Sequence, residues 1–299
     1  MNDVVRTTLA RIPRFAGRSL ERLSVQPLES LTNRSYRITL DGERYVLRIA
    51  GAGTGRFIDR PAELHNARLA ASIGVAPEVL FFDAEDGTML TRFIADSVTL
   101  DARRMRDPAT LSLAARTMKR LHESGLAFAG RMELFPKIDE YLALIDERRA
   151  DDCGLHAARG RAEALRPAFE QAAAPIVPCH IDPTPANFLL ARAAAGLPAL
   201  YLIDWEYAAM GEAAWDLAGL SIEAGFDEAD DRRLLDAYHG QPSATDIARF
   251  RAHRALLPLV AASWAVAHAA DTGAGAPLIA MARQRVAEFH ARAAGLASG

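Results

Sequence analysis

The chain has 299 residues, 50% hydrophobic and 24% charged, enough apolar surface for one sizeable domain or two lobes, which excludes a disordered or fibrous protein. Its 35 basic and 38 acidic side chains leave a formal charge of -3, so no general polycationic field exists to hold a nucleic acid. Cys153 and Cys179 have no partner at metal-ligand spacing, which argues against a zinc site or disulfide framework and for a reducing, cytoplasmic setting. The longest apolar run, residues 255–270, is interrupted by Pro258, Ser263 and His268 and falls short of the ~20 residues that cross a bilayer.

In chain order, the first twenty residues carry Arg6, Arg11, Arg14 and Arg18 but no apolar signal region, and are read as an ordinary N-terminal helix. Tyr36, Ile38 and Leu40 alternate with polar residues, Asp41-Gly42 forms a turn, and residues 45–49 return as a second strand. Pro61 suits a first helical turn, and residues 62–73 predict a helix that Gly74 stops. Residues 78–83 and 88–94 predict two more strands about the turn Glu85-Asp86-Gly87. From residue 96 the pattern is mainly helical, with helices expected over 108–122, 137–149, 159–174, 227–238, 245–270 and 276–294. A two-stranded hairpin, 188–190 with 199–203, interrupts them. The fold class expected is α+β, an antiparallel N-terminal sheet with one inserted helix followed by a larger helical lobe.

The hairpin is flanked by chemistry. His180-Ile181-Asp182-Pro183-Thr184-Pro185-Ala186-Asn187 precedes it and Asp204-Trp205-Glu206 follows its second strand. The spacing H-x-D-x-x-x-x-N is that of a kinase catalytic loop, in which the Asp accepts a substrate hydroxyl proton and the Asn holds Mg²⁺. An Asp ending the next strand supplies the second metal contact. Moving a γ-phosphoryl group requires hard oxygen ligands for Mg²⁺ and one aligned acceptor, and a loop followed by a tight hairpin brings three such oxygens together. His180 is expected to brace the loop through backbone.

These residues, with residues 31–37 (Leu-Thr-Asn-Arg-Ser-Tyr-Arg), Tyr45-Val46-Leu47-Arg48 and Trp215-Asp216-Leu217-Ala218, make the chain resemble the aminoglycoside phosphotransferase and choline kinase superfamily. Within it the chain looks most like bacterial choline kinases, through Gly53-Thr54-Gly55, Asp59-Arg60 with Glu63 nearby, and Glu206-Tyr207. The resemblance implies a protein-kinase-like bilobal fold, with a nucleotide-binding lobe over 1–95 and a catalytic and acceptor-binding lobe over 96–299. It implies ATP and Mg²⁺ as cofactors, Asp182 as catalytic residue, and Asn187 and Asp204 as metal ligands. Arg48 stands where protein kinases carry a lysine for the ATP phosphates; only Lys119 and Lys137 are lysines, so no lysine is available in the N-terminal lobe, and the planar guanidinium can also pair Glu63. Thr32 and Asn33, with Ser30, would cover the phosphates, and the backbone of residues 91–94, including Thr91 and Phe93, would meet the adenine.

The acceptor implied is a small-molecule alcohol, first of all choline. A quaternary ammonium has no N–H to donate and is held by aromatic faces, at ~0.5–2 kcal/mol per ring. Tyr207, Trp215 and Trp264 are the candidates, with Glu206 and Glu223 adding negative charge. Thiamine or an aminoglycoside-type acceptor, or a nucleotide-binding pseudokinase, are the alternatives.

Overall fold

The computed structural model describes residues 2–28, 33–51, 58–171, 174–192, 196–269 and 275–296. The N-terminal segment is a helix, α1 (Asn2–Ala10), followed by β1 (Ser24–Leu28), β2 (Arg34–Leu40) and β3 (Glu43–Ile49). The alternation in β2 is answered across the turn: Tyr36 pairs with Leu47 and Ile38 with Tyr45. Asp41 and Gly42 have φ of 51° and 81°, the left-handed pair that matches the twist of a two-residue hairpin. With β4 (Val79–Phe82) and β5 (Met89–Arg92) these strands form one sheet of order β1-β2-β3-β5-β4. Its inward residues Tyr36, Ile38, Leu40, Tyr45 and Leu47 pack on Val5, Leu9, Ile12 and Phe15, a small core of its own. By the period of two, Arg44, Val46 and Arg48 lie on the opposite face.

The helix between β3 and β4, α2 (Arg60–Ser72), starts where Asp59 accepts a bond from the Ala62 N–H and Pro61 occupies the first turn. Its small apolar residues Ala67 and Ala70 join the core of the helical lobe rather than that of the sheet. Asn66, fully buried, donates through Nδ2 to the Ala129 and Ala208 carbonyls at 3.1 and 2.7 Å and accepts from the Ala129 N–H at 2.7 Å. A buried amide with its donors and acceptor engaged fixes one geometry, so α2 is fastened to the large lobe.

After β6 (Val98–Thr99) come α3 (Ala102–Met105), α4 (Pro108–His122), α5 (Leu134–Leu142), α6 (Glu147–Asp152) and α7 (Leu155–Gln171). The single helix expected over 137–149 is two, because Asp146 turns its carboxylate to the Arg148 N–H at 3.1 Å and starts α6 afresh. Next are β7 (Ile176–Cys179), β8 (Phe188–Arg192), β9 (Pro198–Leu202) and β10 (Ala209–Glu212). The hairpin expected to stand alone is β8–β9, extended by β6 into three strands, while β10 pairs with β7. The strands β6, β7 and β10, of two to four residues, pair with distant parts of the chain and leave little periodic trace.

Four helices close the chain: α8 (Ala213–Glu223), α9 (Glu228–His239), α10 (Ala244–Ala269) and α11 (Gly275–Leu296). The first of these, α8, is absent from the elements expected above. Among the described residues no helix is long and apolar enough to cross a membrane.

Candidate active site

The strand β7 delivers the chain to His180, and β8–β9 return it to Asp204. Between them the loop closes on itself: Asn187 donates through Nδ2 to the Asp182 carbonyl and to Asp182 Oδ2, at 2.9 and 3.1 Å. The Ile203 N–H donates to the Asn187 carbonyl at 3.0 Å, which brings Asp204 to the same place. Ile181 and Asp204 have φ of 73° and 66°, a conformation that costs a β-branched residue such as Ile181 about 1–3 kcal/mol unless its surroundings enforce it.

Those surroundings come from α8. Asp216, completely buried, accepts from the His180 and Ile181 N–H groups, both at 2.8 Å, and the Trp215 indole N–H donates to the Ile181 carbonyl at 3.0 Å. From α4, His122 donates to Asp216 at 3.0 Å, and its other nitrogen accepts from the Tyr238 hydroxyl at 2.8 Å. Burial works against the Asp216 charge, but the His122 bond and the amides above hold its pKa below the ordinary carboxylate value. His180 donates through Nε2 to the Ile203 carbonyl at 2.9 Å and lies edge-on to Trp205 at 4.7 Å; burial lowers its pKa and keeps it neutral. Burial and the charges of Asp204 and Glu223 push Asp182 up to about 7, against the Asn187 bond.

Arg48, at the end of β3, enters from the sheet. One guanidinium nitrogen lies 2.5 Å from Glu63 Oε1 and 3.3 Å from Asp204 Oδ1, and the other donates to the Gly87 carbonyl at 3.2 Å. Arg60 takes the second oxygen of Glu63 at 2.7 Å and stands 3.7 Å from Glu206. The carboxylate oxygens of Glu63, Asp204 and Glu206 lie within 4.8 Å of one another. Burial and mutual repulsion push Glu206 up to about 8 and raise Asp204. Asp204 keeps 31% of its side chain exposed while Glu63 has none and Glu206 6%, so Asp204 is the member of the three that an ion or ligand reaches.

Adjacent to the loop is an aromatic group. Trp264 of α10 donates its indole N–H to the Tyr207 hydroxyl at 3.0 Å and stacks on His268 at 4.3 Å and 29°. Tyr141 of α5 meets His268 edge-on at 6.4 Å, with the Lys137 ammonium 5.0 Å from its ring centre. Burial and neighbouring charge raise the Tyr207 pKa far above its ordinary value, so its hydroxyl is neutral. Glu223, at the end of α8, pairs with Arg285 at 2.5 Å.

The sequence model of the phosphotransferase enzyme family (APH) matches residues 24–256. The chain belongs to this family. It is a small-molecule phosphotransferase with a protein-kinase-like fold. Protein LicA of Haemophilus influenzae is 29% identical over 232 residues, 76% of this chain and 66% of that protein, so the match spans just under two thirds of this relative; a second Haemophilus LicA is matched over 84% of its length at 28% identity. A thiamine kinase of Salmonella heidelberg is 30% identical over 220 residues, 73% of this chain and 71% of its own. Among solved structures, a choline/ethanolamine kinase family protein of Mesorhizobium loti superposes with a TM-score of 0.80 at 30% identity, covering 100% of this chain and 99% of that one. The choline kinase LicA of Streptococcus pneumoniae superposes at 0.77 with 25% identity, covering 97% and 99%.

Of the phosphotransferase site residues expected from sequence, Asp182, Asn187, Asp204, Arg48 and Glu63 are brought together, as are Tyr207 and Trp264. Thr32, Ser30 and the glycines of residues 53–55 lie outside the described residues. Asn33 accepts from the Gly51 N–H at 3.4 Å, and its buried Nδ2 has no hydrogen-bond partner among the described residues. At the lobe junction the expectation for residues 91–94 is narrowed: Thr91 pairs with both Val46 and Val79, the Arg92 N–H donates to Glu78 at 2.9 Å and the Phe93 N–H to Arg44 at 3.3 Å. The sheet has already used these donors.

Two acceptor-side expectations are corrected. Glu206 points into the guanidinium cluster, 3.7 Å from Arg60 and 4.0 Å from Arg48, whereas Tyr207, its neighbour in the turn closed by the Ala208 N–H on the Trp205 carbonyl at 3.1 Å, joins Trp264. Trp215 is 4% exposed and spends its N–H on Ile181, so it supports the loop from below. Asp216 and Arg60 stood inside the motifs yet carried no assigned role, and His122 and His268 sit at helical spacing that reads as core; nothing short of the fold joins them to the site.

Proposed function

We propose that this chain is an ATP- and Mg²⁺-dependent kinase that moves the γ-phosphoryl group to the hydroxyl of a small cationic alcohol, choline first. The observation that carries this reading is the convergence of Asp182, Asn187 and Asp204 with the Arg48–Glu63 pair beside the Tyr207–Trp264–His268 rings. Relatives named choline kinase and choline/ethanolamine kinase family protein support the acceptor class.

The donor set fits both cofactors. Asn187 spends its Nδ2 on Asp182, which leaves its side-chain Oδ1, with the exposed oxygens of Asp204, as hard ligands for Mg²⁺. Bound there, the ion neutralises charge on the phosphates. Two buried donors, Arg48 Nε and Asn33 Nδ2, have no hydrogen-bond acceptor among the described residues, which suits them to phosphate oxygens. For the base, the Phe93 carbonyl and the N–H groups of Ile94 and Ala95, past the last donor the sheet uses, offer the edge contact.

Asp182 receives the acceptor's hydroxyl hydrogen bond and takes the proton as the oxygen–phosphorus bond forms, while the bond from the γ-phosphorus to the β–γ bridging oxygen breaks and ADP leaves. Burial, with the charges of Asp204 and Glu223, raises the Asp182 pKa and so makes its carboxylate the stronger base for that work. Asn187 orients it, and the Asp216 brace keeps the loop from relaxing. Tyr207 and Trp264 present ring faces to the ammonium, and Glu223 adds negative charge.

Thiamine is a second reading with an observation in its favour, the 30% identical thiamine kinase, and it too is a permanent cation with a primary hydroxyl. ATP consumption with choline, ethanolamine, thiamine and an aminoglycoside tests the proposal. Turnover with choline well above the others is expected; turnover only with thiamine moves the acceptor, and none with any of them overturns the reading.

A further inference from the structure

We propose that Arg60 is a positioning residue: it holds Glu63 and Glu206 so that Arg48 is free to carry phosphate charge. This rests on the phosphate-side reading above.

Glu63 is a carboxylate shared between two guanidinium groups, one on each oxygen, Arg48 at 2.5 Å and Arg60 at 2.7 Å. In a protein kinase the equivalent acid has one cation, and that cation must serve acid and phosphates together. Here Arg48 is also drawn to Asp204 at 3.3 Å and Glu206 at 4.0 Å. Three carboxylates facing a single arginine would hold it among themselves. Arg60, whose side chain is 8% exposed, supplies the second positive charge and stands nearer to Glu206 than Arg48 does, 3.7 Å against 4.0 Å.

Its placement is costly on other grounds, which sets it apart from a surface ion pair. Arg60 is the first residue of α2, directly after the N-cap Asp59, where the helix dipole favours anions and disfavours a cation. Its guanidinium lies against Gly87, where an added Cβ would come within 2.7 Å of Nε. The carbonyl of that glycine accepts from Arg48. Gly87, at φ of 71°, thus lets both arginines pass the β4–β5 turn. Because Asn66 fastens α2 to the large lobe, Arg60 and Glu63 are held from that side, while Arg48 is contributed by the sheet.

The test is a double-mutant cycle in the full chain, R60M and E63Q singly and together, read as KM for ATP, KM for the acceptor and kcat. R60M should raise KM for ATP by about tenfold, within the range of couplings between contacting charged groups, and leave the acceptor KM within about twofold. E63Q should do the same. In the E63Q background R60M should cost clearly less than it does alone, because only Glu206 then remains for Arg60 to hold. R60K should recover part of the loss, as a point charge without the fork. Equal losses from R60M in both backgrounds, or an unchanged KM for ATP, overturn the proposal. E63Q as active as the parent overturns the phosphate-side reading with it, whereas an impaired E63Q beside a silent R60M removes only Arg60. If R60M melts too low to assay, R60K and R60Q run through the same cycle decide by the same criterion.

Discussion

Glu206 and Tyr207 are neighbours in the chain, yet they enter two environments built on opposite principles. Glu206 joins a cluster of two guanidinium groups and three carboxylates, where burial raises the Glu206 and Asp204 pKa values and position is held by charge. Tyr207 joins Trp264, His268 and Tyr141, where the contacts are ring faces, ring edges and one N–H to hydroxyl bond. Charged groups at fixed distance discriminate steeply and tolerate little displacement; ring faces attract any cation of suitable size and give up a modest share each. The charged side should therefore decide whether the reaction runs, and the aromatic side which alcohol it runs on.

The most damaging way to probe that division is Asp182→Asn. The amide matches the carboxylate in shape but cannot accept the hydroxyl proton, so kcat should fall about 10²- to 10⁴-fold while ATP still binds, as measured by nucleotide titration; near-normal turnover would take Asp182 out of its role. Asp204→Ala should follow closely, with a loss of about 10²- to 10³-fold and a displaced Mg²⁺ activation curve, and Asn187→Ala more mildly. An unmoved Mg²⁺ curve in both would contradict the ligand assignment.

Two tryptophans sharpen the comparison further. Trp215→Phe leaves the part-buried Ile181 carbonyl without its donor, which should lower stability by about 1–3 kcal/mol in denaturant unfolding, with the acceptor KM unchanged. Trp264→Leu keeps apolar bulk but removes the ring, so the acceptor KM should rise roughly 2- to 30-fold, corresponding to ~0.5–2 kcal/mol, with KM for ATP steady. Were Trp264→Leu to lower the melting point and raise both KM values together, the ring would be core and the aromatic side would lose its assigned task.

Much of this was legible before any coordinates. The hairpin of β2 and β3 follows from alternation and the Asp41-Gly42 turn, and the loop from His180 to Asn187 with Asp204 follows from spacing, because local backbone rules and a short hairpin bring residues close in sequence together in space. What spacing cannot express is direction. Trp215 and Trp264 are equal as letters, and only packing turns one beneath the loop and the other toward Tyr207. Short strands such as β6, β7 and β10 also escaped, since their pairing is with distant chain and leaves almost no periodic trace.

The sequence by itself determined the chemistry of the loop and the small sheet, where side-chain period and motif spacing act within some thirty residues. Tertiary structure alone decided who supports them: Asp216 and His122 under the strained Ile181, Asn66 tying α2 to the large lobe, and Arg60 beside Arg48 on one carboxylate. These are pairings of buried polar groups across 3 to 142 positions of chain. Desolvation obliges each such group to find a partner, but which partner it finds depends on how the helices pack.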